Sequence, residues 1–156
     1  MKRATVITVS SRAAAGVYAD EAGPAVAQVL AGAGFDVGDI RVIPDGHGLV
    51  ATEIRSACDD ADLVVTNGGT GLHPKDETPE ATRDIVDREV PGIAEAMRAA
   101  SLAVTPMAML SRGVAGVRGT VLVINLPGSP KAAVENLQAV LPVLDHALEQ
   151  LRGGDH

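Results

Sequence analysis

Two short segments of this chain, Leu63-Val64-Val65 and Val121-Leu122-Val123-Ile124, are apolar at every position. A strand with one face in water alternates apolar and polar side chains, so a strand without that alternation must be covered on both faces. That pattern belongs to a parallel sheet held between helices. Residues 5–9 form a β-branched run that reads as a first strand, and residues 35–43 read as another, ending at Pro44. Residues 63–66 and 120–125 complete the two apolar strands. Pro24 suits the first turn of a helix running to about Ala33, with Gly34 as its stop. Residues 48–60 read as helical, with Leu49, Ile54 and Ala57 on one side. Thr78 reads as the cap of a helix with Pro79 in its first turn, and Pro91 or Gly92 opens another that reaches about Leu102. Ser129 caps and Pro130 opens a last helix through Leu148, which Pro142 should kink or split. Residues 107–117 fit neither period. The alternation predicts a three-layer α/β/α fold with a mostly parallel central sheet. It also predicts a single domain over residues 1–152, with 153–156 as a frayed tail.

Composition narrows the function. One Phe (Phe35), one Tyr (Tyr18) and no Trp leave no aromatic platform for stacking nucleobases, and a net charge of −7 disfavours a polyanionic partner such as nucleic acid. A single cysteine, Cys58, excludes an internal disulfide and a multi-cysteine zinc site, and reads as a small packed residue. His47, His73, His146 and His156 show no metal-ligand spacing. The apolar stretch 4–9 is shorter than the roughly 7–15 residues of a secretory signal core, and no run approaches the roughly 20 apolar residues of a membrane span. A cytoplasmic protein without a membrane partner is expected.

In open α/β sheets ligands bind beyond the carboxyl ends of the strands. Four polar loops should gather there: Ser10-Ser11-Arg12, Pro44-Asp45-Gly46, the stretch 67–78, and Pro127-Gly128-Ser129-Pro130-Lys131. Gly68, Gly69 and Gly71 permit positive φ and close backbone approach, and successive N–H groups in such turns form anion nests. Thr70 adds a hydroxyl and Lys75 a positive charge. The competing reading is a strand-to-helix turn that needs glycine for geometry alone. Two common nucleotide motifs are absent: no glycine start leads to a Gly-Lys pair four residues on, and the pattern beginning at Gly69 meets Pro74 where a dinucleotide fold needs glycine. Gly46-His47-Gly48-Leu49-Val50-Ala51 fits a looser dinucleotide pattern but follows the second strand, so it reads as coincidence. Ser129 and Lys131 at the start of the last helix form a second candidate anion site, where the helix terminus supplies free N–H groups. Asp45 and Asp76 would repel phosphate unless a divalent cation lies between them, and Mg²⁺ commonly takes one or two carboxylates plus substrate phosphates. In the competing reading Asp76 pairs with Arg83 or Lys75 and Asp45 makes a local turn. Glu77 reads as a solvated face or a helix-start charge.

The run Gly-Gly-Thr-Gly-Leu-His-Pro-Lys-Asp-Glu-Thr-Pro-Glu-Ala from Gly68 resembles the signature of the MogA/MoaB family, the molybdopterin adenylyltransferases of molybdenum-cofactor biosynthesis. The likeness continues through Val-Ser-Ser-Arg near the start, Asp-Arg-Glu-Val-Pro-Gly from Asp87, Met-Leu-Ser-Arg-Gly-Val from Met109, and Asn-Leu-Pro-Gly-Ser-Pro-Lys from Asn125. The resemblance implies a three-layer α/β fold, a homotrimer, and transfer of AMP from MgATP to molybdopterin with release of pyrophosphate. It also implies a hand-off of the product to a molybdate-insertion protein. It places the family's functional aspartates on Asp76 and Asp45, and its two loops on Gly68–Gly71 and Pro127–Pro130. Ser111 falls in its Ser-Arg segment near the site. Lys75 departs from the family's usual arginine and loses the two-pronged phosphate contact of a guanidinium. A non-catalytic molybdopterin-binding or scaffolding trimer is the alternative. Residues 91–109, rich in Ala and Met, are the candidate trimer surface, and an ordinary core helix explains them as well.

Overall fold

The structure is a computed structural model of the 156-residue chain and describes residues 1–154. Its elements run β1 (Arg3–Val9), α1 (Ser11–Ala14), α2 (Ala22–Gly32), β2 (Asp36–Val37), β3 (Arg41–Ile43), α3 (His47–Cys58), β4 (Leu63–Asn67) and α4 (Thr78–Ile85). They continue with β5 (Arg88–Glu89), α5 (Pro91–Leu102), a 3₁₀ turn at Pro106–Leu110, β6 (Ala115–Arg118), β7 (Val121–Leu126) and α6 (Pro130–Leu151). The sheet has the order β2-β1-β4-β7-β6-β5, with β3 also paired to β1. β1 is parallel to β2, β3 and β4, and β4 is parallel to β7. β6 and β5 extend it as antiparallel strands.

The apolar strands divide their side chains between two cores, as expected for a sheet covered on both faces. Leu63, Val65, Leu122 and Ile124 pack with Val26 and Leu30 of α2, Met97 of α5 and Leu137 and Leu144 of α6. Their alternates Val64, Val121 and Val123 pack with Val50 and Ile54 of α3 and Ala81 and Ile85 of α4. Truncating a fully buried leucine such as Leu122 to alanine should cost about 2–5 kcal/mol. Cys58 packs against the α3–α4 core, and burial pushes its thiol up to about 11. Among the described residues no helix is long and apolar enough to cross a membrane.

Several expectations change. The strand expected over 35–43 is two pieces. Ala4 pairs with Val37 and Ile7 with Arg41, so three steps on β1 oppose four on its neighbour. That extra residue, as in a bulge, breaks the ladder at Gly38-Asp39-Ile40. The helix expected at Gly48 starts at His47, and Leu49 is 45% exposed while Val50, Ala51, Ile54 and Ala57 carry the buried stripe. The unassigned stretch 107–117 is the 3₁₀ turn followed by β6. α6 runs unbroken through Pro142. Pro142 faces solvent, where water can satisfy the carbonyl it frees, and the buried stripe Leu137, Val140, Leu144 and Leu148 continues past it. That burial offsets a proline cost of about 3 kcal/mol. Beyond α6, Gly153 (φ +84°) and Gly154 donate to Gln150 and Glu149 carbonyls at 2.9 and 3.0 Å. The last two tail residues, Asp155 and His156, lie outside the described residues.

Candidate active site

The register sets the site. Val9 pairs with Ile43, Thr8 with Asn67, and Asn67 with Leu126, so the loops after β1, β3, β4 and β7 leave one edge of the sheet together. A buried polar layer underlies them. The Asn125 amide donates to Thr66 Oγ1 (3.1 Å) and Thr82 Oγ1 (2.9 Å), and its oxygen accepts from the Val114 N–H at 3.2 Å. Asn67 donates to Thr8 Oγ1 at 3.0 Å, and Thr8 donates to Asp20 Oδ2 at 2.9 Å. Every polar atom of the Asn125 amide is thus partnered, which removes the penalty for burying it.

Packing demands glycine at the first two positions of the turn after β4. Gly68 has φ +96°, and a Cβ there would sit 2.2 Å from the Val9 carbonyl oxygen. Gly69 has φ +70°, and its Cβ would sit 2.3 Å from Thr78 Oγ1. Geometry therefore accounts for these glycines, and the turn they build leaves donors free. Gly68 N–H donates to Leu126 O at 3.0 Å, but the N–H groups of Gly69 and Thr70 have no protein acceptor among the described residues. The Pro127–Gly128 loop abuts the same turn, with the space beside Gly128 closed by Gly68 Cα at 3.4 Å.

Each of the two aspartates commits one oxygen to the protein, Asp76 to its own loop and Asp45 to Ser11 after β1 rather than to the local turn of the competing reading. Asp76 Oδ2 accepts from the Gly71 and His73 N–H groups at 3.1 and 3.3 Å. Asp45 Oδ2 accepts from the Ser11 N–H at 3.2 Å and the Ser11 hydroxyl at 2.8 Å. Neither Oδ1 has a protein donor among the described residues, and neither aspartate forms an ion pair there. The pairing of Asp76 with Arg83 or Lys75 does not form; Arg83 reaches Glu89 at 3.4 Å instead. Among the described residues no group of three or more His, Cys, Asp or Glu side chains is placed to hold a metal ion.

Two charged residues fix these loops. Arg112 donates to Gly71 O (2.8 Å), Asp76 O (2.7 Å) and Glu80 Oε2 (2.6 Å), while its own N–H donates to Thr70 O at 2.8 Å. Its guanidinium thus holds both ends of the segment that carries Asp76. The hydrogen bond from Arg112 also holds the Glu80 carboxyl below the usual carboxylate range. Glu77 is a helix-start charge, the N-cap residue of α4, and its Oε2 accepts from the His47 N–H at 2.7 Å, at the start of α3 two residues after Asp45. The residue beside Asp76 therefore staples the Asp45 loop to the glycine loop. His47 also hydrogen-bonds Asp84 on α4, which raises the imidazole pKa. Thr78 does not act as a cap. It is the first residue of α4, its N–H donates to Gly69 O at 3.1 Å, and its buried hydroxyl has no partner.

Two cavities meet at this turn. The first, about 740 Å³, is lined by Ser10, Asp45, Gly68, Gly69, Lys75, Asp76 and Gly128, together with Ser11, Tyr18 and His73. The second, about 420 Å³, is lined by Gly69, Thr70, Gly71, Asp76, Ser111, Pro127 and Gly128, with Met107 and Leu110 supplying apolar wall. Gly69, Asp76 and Gly128 belong to both. Of the sequence-derived candidates, Ser129 and Lys131 line neither. The Ser129 hydroxyl accepts from the Ala132 N–H at 3.2 Å as the α6 cap, and the Lys131 ammonium, 80% exposed, lies 3.9 Å from Glu135. The Ser10 hydroxyl caps α1 through the Ala13 N–H at 3.2 Å and shares a 2.9 Å hydrogen bond with Tyr18. Sequence reasoning named the Ser10-Ser11-Arg12 loop and weighed Glu77 but gave neither Ser11 nor Glu77 its positioning role, and it missed Tyr18 and Arg112; Arg112 had a signal in its place beside Ser111.

Comparison with known proteins gives this geometry its context. A family profile described as a probable molybdopterin binding domain matches residues 5–146. The chain is 40% identical over 152 residues to the molybdopterin adenylyltransferase of Helicobacter pylori strain J99, covering 95% of this chain and 86% of the relative. It is 40% identical over 143 residues to the molybdopterin adenylyltransferase of Escherichia coli K12, covering 88% and 73%. Among solved structures, the molybdopterin biosynthesis enzyme MoaB of Thermus thermophilus superposes with a TM-score of 0.92 at 52% identity, over 98% of both chains. On the profile match and these relatives together, the chain belongs to the molybdopterin binding domain family of molybdenum-cofactor biosynthesis.

Proposed function

We propose that this chain is a molybdopterin adenylyltransferase, transferring AMP from ATP to the terminal phosphate of molybdopterin. One observation carries the reading: Asp76, with one carboxylate oxygen unpartnered, lines both of the cavities that meet at its loop, as suits a reaction that joins two substrates. A phosphate oxygen of molybdopterin attacks the α-phosphorus of ATP, a new P–O bond forms, and the bond to the β-phosphate breaks to release pyrophosphate. The attacking phosphate is already anionic, so no general base is needed. Catalysis rests on positioning and charge neutralisation. The free N–H groups of Gly69 and Thr70 receive phosphate oxygens, and Lys75, which has no carboxylate partner among the described residues, adds positive charge. The unpartnered oxygens of Asp45 and Asp76 would hold Mg²⁺ entering with the triphosphate. Two carboxylates suit such an ion better than a resident metal cage, since Mg²⁺ keeps waters and substrate phosphates as its other ligands. When bound, it screens the phosphate charge. Arg112 and Glu77 set where the two carboxylates stand.

A homotrimer and hand-off of the adenylylated product to a molybdate-insertion protein complete this reading, in the cytoplasm. Leu102, Val104, Met107, Met109 and Leu110 are 43–69% exposed on one stretch, an apolar surface suited to a partner copy. The test is release of pyrophosphate from ATP in the presence of molybdopterin, with and without Mg²⁺. Release that needs all three supports the enzyme. Binding of molybdopterin without any release would leave the non-catalytic scaffold as the correct reading.

A further inference from the structure

The larger cavity is lined by groups of opposite character. The free N–H of Gly69 and the cations of Lys75 and Arg12 suit phosphate, while the carboxylates of Asp20 and Glu21 disfavour it and suit an uncharged group with hydrogen-bond donors. Tyr18 is the only aromatic residue lining this cavity, and it is 52% exposed. The chain's other aromatic, Phe35, is buried in the core. A half-exposed ring is normally mobile, but this one is tethered, its hydroxyl 2.9 Å from Ser10 Oγ. Ser10 is itself fixed as the cap of α1 and sits directly after β1. Asp20 is also held, accepting from Thr8 Oγ1 at 2.9 Å and from the Gly23 N–H at 3.0 Å, so its carboxylate stands at a defined place in the wall of the same cavity.

We propose that Tyr18 is a specificity-determining residue that stacks on a flat fused-ring nitrogen heterocycle in the larger cavity, the Ser10 hydroxyl holding its ring in place. This rests on the adenylyltransferase reading, which supplies two such heterocycles, the adenine of ATP and the pterin of molybdopterin. Both carry an exocyclic amine that a carboxylate such as Asp20 can accept from. Stacking on an aromatic ring tolerates either, because each presents a π-face.

The chain offers its own probe. Tyr18 is its only tyrosine and it has no tryptophan, so tyrosine emission reports this ring alone. Wild-type protein is titrated separately with ATP, with molybdopterin and with inorganic tripolyphosphate, following emission corrected for ligand absorbance and heat in parallel. Quenching by ATP assigns the ring to adenine, and quenching by molybdopterin assigns it to the pterin; tripolyphosphate, which has no ring, should bind without quenching. Tyr18→Ala should weaken binding of the quenching ligand about tenfold and raise its KM similarly, while kcat stays within about threefold, on the scale of one lost aromatic stack. Tyr18→Phe, which keeps the ring, should stay within about threefold in affinity. Binding of both ligands with no change in emission, or unchanged affinities in Tyr18→Ala, overturns the proposal while leaving the adenylyltransferase intact. If the folded wild-type protein binds neither ligand, the proposal and the reading it rests on fail together.

Discussion

Replacing Arg112 with methionine removes the side chain that holds the Asp76 segment at both ends while keeping most of its volume. Three acceptors lose their donor: Gly71 O, Asp76 O and Glu80 Oε2. Hydrogen bonds involving a charged partner contribute about 1.5–3 kcal/mol each, but such values do not add within one network. The Arg112 side chain is 34% exposed, so water replaces part of what is lost. A net destabilisation of about 1–3 kcal/mol follows, visible as a lower denaturation midpoint in urea with an unchanged slope. The larger effect should be on turnover. Asp76 would no longer be held from behind, and misplacing a group by about 1 Å can cost a hundredfold. Arg112→Met is expected to lower kcat about thirty- to a hundredfold, equivalent to about 2–2.7 kcal/mol of transition-state stabilisation. Arg112→Lys keeps the charge and can satisfy Glu80 but not both carbonyls as well, so it should fall between. Steady-state pyrophosphate release, measured where circular dichroism shows the variants folded, is the assay. Wild-type kcat in folded Arg112→Met would refute the positioning argument.

Other perturbations test other levels. Gly69→Ala forces a Cβ to 2.3 Å from Thr78 Oγ1 at φ +70°, so it should cost stability and at least tenfold in turnover; equal activity would mean the turn relaxes freely. Asn125→Leu leaves the Thr66 hydroxyl and the Val114 N–H without their partner and takes one of two hydrogen bonds from Thr82 Oγ1, and should destabilise by about 2–4 kcal/mol in chemical denaturation. Stability should also follow pH with a definite sign. The Arg112 hydrogen bond depresses the Glu80 pKa, so its contribution is present above the ordinary value of 4.5 and is lost as pH falls below it through the depressed one. Urea midpoints measured between pH 7 and 3 should fall less steeply at the acid end for Glu80→Gln than for the wild type.

Much of the architecture was legible in the chain because burial writes itself into spacing. An apolar residue at every position of 63–65 and 121–124 requires two covered faces, and those side chains do alternate between the two cores. Strand β5 has two residues, too short to show a period, and the break in residues 35–43 is an inserted residue that periodicity cannot reveal. The ends of parallel strands fix which loops share an edge, which is why Asp45 and Asp76 could be named together before their cavity was known. The groups that position them were not legible. Arg112 meets its acceptors across 32 to 41 residues of sequence, and Glu77 meets His47 across 30. Only folding makes those pairs. Ser129 and Lys131 lie outside both cavities and meet local partners instead, the Ala132 N–H and Glu135. Composition likewise counted too few aromatics to form a platform, but could not say that one of them, Tyr18, stands in the cavity wall.

In the proposed reaction the unpartnered oxygen of Asp76 acts on phosphates shared between the two cavities. Asp76→Asn keeps the shape and an acceptor oxygen for the Gly71 and His73 N–H groups but removes the charge. Single-turnover formation of adenylyl-molybdopterin, measured alongside molybdopterin affinity on the same preparation, decides the matter. The predicted result is a rate lower by about a hundredfold or more with affinity nearly unchanged. A rate equal to that of the wild type would contradict it.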